Sequence, residues 1–265
     1  MSSARKLPFD KYEFYSKAVQ SAGEDVKFYR RVYKKIRKGK SPVVLREDFC
    51  GAGAITCEWA KLDRSHKSCG LDLDQEPMNY GRTHYVSQLS KEQQSRVALI
   101  KKDVLSPGLP LADIAVAVNF SYFFFKKREI LKKYFENAYK SLNFDGIFVV
   151  DIFGGTQCTD SIEDQTKHKE FTYYWDQKSF DPISNEAYFE IHFRYKRKKY
   201  EGVFAYDWRM WSIPEIREIM AEVGFQSTQV YWEGTDRKGR GNGEFDAVEK
   251  GESCLSWIAY IAGSK

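Results

Sequence analysis

The sequence has no C-x-x-C pair, no internal repeat, no low-complexity tract and no apolar run approaching the length of a membrane span. Each absence removes a class of protein. The five cysteines (Cys50, Cys57, Cys69, Cys158 and Cys254) are scattered and odd in number, so neither a disulfide framework nor a zinc site is indicated, and reduced thiols are expected. No membrane partner is expected, and no secretory apolar core follows Met1-Ser2-Ser3-Ala4-Arg5-Lys6, so the chain reads as soluble and cytoplasmic. A dominant charge is lacking too. With 42 basic and 37 acidic residues the formal charge is +5, which permits an anionic partner without requiring one.

What is present points to a folded α/β protein. Its 265 residues can bury a full core as one large domain, or as one domain carrying an insertion, and the second is expected here. Hydrophobic residues make up 42% and aromatic residues 16%, enough apolar surface for a core and for a walled pocket. The stretch Val43-Val44-Leu45-Arg46-Glu47-Asp48-Phe49-Cys50-Gly51-Ala52-Gly53 organises the rest. A run of strand formers ends in acids and two glycines, then leads into the helical Ala54 to Ala60. Without a Cβ at Gly51 and Gly53 the turn can be tight, and backbone N–H groups at the helix start can face a polar or anionic ligand.

Before this turn, Tyr12, Phe14, Tyr15, Val19, Val26, Phe28, Tyr29, Val32 and Tyr33 recur at threes and fours, which predicts helices over residues 9 to 38 as an N-terminal cap, 1–42. Packing on the sheet accounts for most of these aromatics; a lid of Tyr12, Tyr15 and Gln20 over a ligand is the sharper reading. After the turn, strands are expected at 68–74, 97–104, 111–120 and 146–153, alternating with helices in the manner of βαβ units. Asp72 ends the second strand 19 positions beyond Gly53, the spacing at which a nucleotide fold sets an acid against ribose hydroxyls. Asp103 ends the third strand.

The alternation breaks after the fifth strand. Phe189, Ile191, Phe193 and Tyr195 lie on one face of a strand, with Tyr188, Glu190, His192 and Arg194 on the other, and Lys196 to Lys199 make a turn. An antiparallel hairpin, within an insertion over 156–208, is therefore expected. Ser212 and Glu215 then make a capping box, Gly224 stops that helix, and strands at 227–233 and 255–262 follow, with a mobile loop at 236–243 between them. The expected fold is a doubly wound, mostly parallel seven-stranded sheet with an antiparallel β insertion after the fifth strand. Its core would be 43–155 with 209–265.

These residues, in this order, resemble the class I S-adenosylmethionine-dependent methyltransferases, over the span from about residue 43 to the end. Cys50-Gly51-Ala52-Gly53 is similar to the glycine-rich first motif, Gly70-Leu71-Asp72 to the ribose-binding acid, Lys102-Asp103-Val104 to the adenine-reading segment, and Asn119-Phe120-Ser121 to the segment lining the sulfonium. The resemblance implies S-adenosylmethionine as cofactor, with contacts at Tyr15, Glu47, Cys50, Gly51, Ala52, Gly53, Asp72, Leu73, Asp103, Val104 and Asn119, and no metal. Phe49 stands where the family has a glycine, and either Glu47 or Asp48 would meet the amino group of the cofactor's methionine part.

In-line transfer from a sulfonium rests on positioning and desolvation, with a base only where the acceptor holds a proton. Asp151, Tyr122 and His192 are the candidates for catalysis, against readings of turn residue, packing and solvated strand residue. His168 is a further candidate base in the insertion, and Arg209 is a candidate anchor for an acidic substrate, against the reading of an ordinary surface ion pair. A small-molecule N or O acceptor is the first expectation. Nucleic acid is the second, from Asn119-Phe120-Ser121-Tyr122 and the basic runs Lys126 to Arg128, Arg194 to Lys199 and Arg237 to Arg240. A cofactor-binding protein without transferase activity is a third. A dinucleotide oxidoreductase is disfavoured because Thr56 occupies the place of the third fingerprint glycine.

Overall fold

The computed structural model describes residues 7–237 and 239–265. Met1 to Lys6, where the N-terminus was read for a secretory core, and Lys238, within the expected loop and basic run, lie outside the described residues. The chain separates into two compact units, one of Met1–Ser21 with Thr159–Trp208 and the other of Ala22–Cys158 with Arg209–Lys265.

In chain order the elements begin with α1 (Lys11–Val19) and α2 (Ala22–Ile36), followed by β1 (Val44–Asp48), α3 (Ala54–Leu62), β2 (Lys67–Asp72) and α4 (Gln75–His84). A short α5 (Lys91–Gln94), β3 (Val97–Lys101), β4 (Ala112–Ala117), α6 (Arg128–Lys140) and β5 (Leu142–Gly154) come next. Four strands, β6 (Ile162–Lys167), β7 (Thr172–Asp181), β8 (Glu186–Tyr195) and β9 (Lys198–Arg209), precede α7 (Ile213–Val223), β10 (Ser227–Thr235), β11 (Gly241–Val248) and β12 (Trp257–Ser264).

The larger unit holds an eight-stranded sheet of order β11-β10-β12-β5-β4-β1-β2-β3. From β3 to β5 the strands are parallel; β12, β10 and β11 add antiparallel pairings. The sheet is thus doubly wound and its first five strands are parallel as expected, but the count of seven is corrected to eight. The added strand is β11, which occupies the end of the expected loop 236–243 and the residues after it. Gly241, Asn242 and Gly243 hide it in the sequence, and as an edge strand it buries one face only, through Phe245 and Ala247 against the core.

Period-two burial explains why these strands hold. Leu45, Ile114, Val116, Val118, Ile147, Val149 and Ala262 point to one face and pack with Val26, Tyr29, Val32, Ile55 and Trp59 of α2 and α3. The opposite face carries Phe148 against Tyr134 and Phe135 of α6, with centroids 5.8 and 5.2 Å apart. Chain order reverses between β1 and β4, so a crevice opens at their carboxyl ends.

The smaller unit is a four-stranded sheet of order β6-β7-β8-β9 with α1. The expected hairpin is β8 and β9, and β6 and β7 extend it. Phe14 of α1 stacks on Phe171 at 4.2 Å and meets Phe193 edge-on at 5.6 Å. No helix among the described residues is long and apolar enough to cross a membrane.

Candidate functional site

Two left-handed turns meet at the crevice. Phe49, directly after β1, has φ 59°, and the turn continues through Gly51 at 51° and Gly53 at 72°. Phe49 therefore adopts the left-handed conformation for which a glycine is the ordinary choice. Its ring compensates by packing on Phe125 and Tyr134 at 5.8 and 5.4 Å. After β4, Asn119 and Phe120 are both left-handed, at φ 56° and 57°. Two neighbouring strained turns at a switch point, each costing about 1–3 kcal/mol per residue, mark a place where backbone is shaped for something other than stability.

The glycine turn is held from three sides. Asp72 Oδ2 accepts the Gly51 N–H at 2.7 Å and Oδ1 accepts the Asp74 N–H at 2.8 Å, so the acid at the end of β2 fixes the turn after β1. Each oxygen keeps a further lone pair for a ligand hydroxyl. Cys50 N–H donates to the Leu71 carbonyl at 2.9 Å. Close packing does the rest: a Cβ at Gly70 would lie 2.7 Å from Cys50 Sγ, and one at Gly81 of α4 would lie 1.9 Å from the Ala52 carbonyl oxygen. No local sequence signal marks Gly81, because its reason is a contact with a residue 29 positions away.

The two acids at the end of β1 have different surroundings. Asp48 faces α6, where Arg46 Nε and Nη2 donate to its two oxygens at 2.8 and 3.2 Å and the Tyr134 hydroxyl donates at 2.8 Å. Arg46, wholly buried, also donates to the Pro110 carbonyl and to Ser141 Oγ. Glu47 faces α3 and accepts from Thr56 N–H at 2.8 Å and Thr56 Oγ1 at 2.5 Å. Burial raises the Glu47 carboxyl to about 8, although the Thr56 bonds oppose the rise. Asp151 near the end of β5 accepts the N–H groups of Asn119 and Phe120, at 2.6 and 2.9 Å, and so holds the strained turn; burial lifts it to about 7.

No protein-family model and no curated protein matches the sequence. Solved structures do match. An S-adenosylmethionine-dependent methyltransferase from Clostridium acetobutylicum superposes with TM-score 0.66 at 18% identity, covering 95% of this chain and 96% of that one. CalS10, an amino pentose methyltransferase from Micromonospora echinaspora, gives 0.67 at 14% identity over 99% and 100%. DesVI of Streptomyces venezuelae gives 0.67 at 14% over 97% and 99%. The fold is that of the S-adenosylmethionine-dependent methyltransferases.

On this methyltransferase fold the remaining expected residues are placed as follows. Leu73, 60% exposed, caps the end of β2. Asp103 accepts the Leu105 N–H at 2.8 Å, and Val104 is buried with its carbonyl bonded by Asn137 Nδ2. Tyr122 is fully enclosed against Phe123 and Phe135, and its hydroxyl has no partner among the described residues. Arg209 donates to the Lys126 carbonyl and to Glu215.

In the smaller unit Tyr15 packs on Phe204 at 5.1 Å. His168 stacks on Phe171 at 4.6 Å. His192 accepts the Gly202 N–H through Nδ1 and donates through Nε2 to Asp176, both at 2.9 Å. Glu163, Asp176 and His192 offer ligand atoms within 4.8 Å of one another, a spacing open to a metal ion. Lys178 pairs with Asp176 at 2.6 Å and Lys199 pairs with Glu163, so ammonium groups already balance those carboxylates.

Proposed function

We propose that the protein transfers a methyl group from S-adenosylmethionine to a small-molecule N or O acceptor by in-line displacement. The observation that carries this reading is the pairing of two strained turns at the switch point with the acid that fixes one of them, Asp72 on Gly51. The bound cofactor supplies an activated methyl; the protein positions it and excludes water. Asp72 meets the ribose hydroxyls, the amides and small surfaces of Cys50, Gly51, Ala52 and Gly53 admit the cofactor chain, and Leu73, Asp103 and Val104 border the adenine. Asn119 lines the methyl side, and Glu47 rather than Asp48 meets the cofactor's ammonium. Arg46 and Tyr134 already hold Asp48, which favours Glu47.

Asp151 acts through the turn it holds, and Tyr122 through packing behind it. We assign acceptor selection to residues 156–208, in which His192 is a buried positioning residue between Asp176 and Gly202. Neighbours on this fold include the sugar N-methyltransferase KedS8 and the amino pentose methyltransferase CalS10, which supports a small acceptor bearing an amine or hydroxyl.

The basic runs support nucleic acid less well, because Arg128 pairs with Glu222, Lys199 with Glu163 and Arg240 with Asp236. Incubating metabolite and RNA pools with protein and labelled cofactor, followed by mass spectrometry, is expected to find label in a small molecule. Label confined to RNA would reverse the assignment, and label in neither would favour a binding protein without turnover.

A further inference from the structure

On the face of the large sheet covered by α2, three apolar stripes end at the carboxyl edge in polar side chains. Along β1, Leu45 is followed by Glu47; along β5, Ile147 and Val149 are followed by Asp151; along the antiparallel β12, Ala262 gives way to Tyr260, the register partner of Asp151. The helix supplies a fourth polar end. Arg37, just past α2, donates to the carbonyls of Asp145 and Gly146 and so pins that end of the helix at the opposite edge of the sheet. Twelve residues back along a helix is about 18 Å, and five residues forward from Gly146 along β5 is about 17 Å. Asp25 of α2 is therefore level with Asp151.

Tyr29, one turn on from Asp25 and on the same side of the helix, is fully enclosed with its ring 6.2 Å from that of Tyr260. Its hydroxyl makes no well-formed hydrogen bond among the described residues, although the Tyr260 hydroxyl lies beside it, and it feels the charges of Asp25, Asp151 and Glu47. An enclosed hydroxyl whose one polar neighbour is another tyrosine hydroxyl, set among three carboxylates, keeps hydrogen-bonding capacity for a further group. The charges bearing most on these carboxylates are themselves negative: Glu24 on Asp25, Asp25 and Asp72 on Glu47, Asp25 on Asp151. The thiols of Cys50 and Cys57 beside Glu47 stay neutral, burial holding both above their ordinary value. Glu47 and Asp151 are buried and Asp25 partly so, and a cluster of one sign with no counter-ion among the described residues is costly to ionise.

We propose that Asp25, Glu47, Asp151 and the Tyr29 hydroxyl form a chamber that exchanges protons for a cationic ligand group, so that binding S-adenosylmethionine, with its ammonium and sulfonium, expels protons to solvent. The inference rests on the cofactor reading above. Burial raises Asp25 to about 6, Asp151 to about 7 and Glu47 to about 8, so at neutral pH the chamber still holds protons. An entering cation favours the ionised carboxylates and lowers all three, and each carboxylic acid that ionises gives one proton to the buffer. Affinity for the cation therefore rises with pH through this window, and the rise fades as Glu47 loses its proton around and above pH 8.

Calorimetric titration at neutral pH in buffers of different ionisation enthalpy reads the proton count directly. We expect release of about one proton per S-adenosylmethionine bound, and hence an affinity rising about tenfold from pH 6 to pH 7. 5′-Methylthioadenosine, which lacks both charges, is expected to bind with no release. Asp25→Asn is expected to reduce the release and flatten the pH profile. Heats for S-adenosylmethionine that are equal in every buffer, with binding intact, overturn the chamber while leaving the cofactor assignment standing. Absence of binding by either nucleoside overturns both.

Discussion

Arg46→Ala is expected to lower the free energy of unfolding by about 3–5 kcal/mol, the cost of leaving a buried charge without its partner. Asp48 has no solvent to turn to, since both side chains are fully buried, and Arg46 also satisfies the Pro110 carbonyl and Ser141 Oγ. The loss should appear as a shift of the urea midpoint at unchanged slope. The double variant Arg46→Met with Asp48→Leu is expected to recover much of it, because exchanging a buried pair for apolar groups of similar volume is often close to neutral. A single variant as stable as the parent would show that the pair contributes nothing to holding β1. The consequence for the site is direct: Phe49 and the glycine turn hang from the end of that strand.

The second large effect concerns acceptor selection. The chain leaves the larger unit after Cys158 and returns at Arg209, and Phe14 packs on Phe171 and Phe193 within the smaller unit. Removing the insertion alone would strip α1 of its partners, so the informative variant joins 22–158 to 209–265 through a short glycine-serine linker. It is expected to stay folded and bind cofactor, while methyl transfer falls by at least about a hundredfold for want of a positioned, desolvated acceptor. A folded variant that transfers methyl at the parental rate would remove residues 159–208 from the substrate site.

Much of this was legible in the sequence where one local signal had one physical cause. Gly51, Gly53 and Asp72 were found because a tight turn and an acid at a fixed distance leave a spacing in the chain. Phe49 was visible only as an irregularity, and the left-handed φ with its aromatic packing is its explanation. The sequence leaves the choice between Glu47 and Asp48 open because alternation sends neighbours to opposite faces without saying what waits there; the proposed preference for Glu47 rests on Arg46 and Tyr134 on one side and Thr56 on the other. Gly81 leaves no mark in the sequence, since its role comes from a backbone approach across the fold, and neither does the proposed part of Asp25, which depends on a helix brought level with a strand end. β11 was lost to glycines that read as loop, although Phe245 and Ala247 carried its alternation.

Titration calorimetry with S-adenosylmethionine, its demethylated product and NAD tests the nucleotide site most directly. Binding of the first two without NAD is predicted. Asp72→Ala is expected to weaken the affinity by about 1.5–3 kcal/mol, roughly tenfold to more than a hundredfold, through lost ribose bonds and a loosened Gly51 turn. No heat of binding from either sulfur nucleoside, or equal preference for NAD, would contradict it.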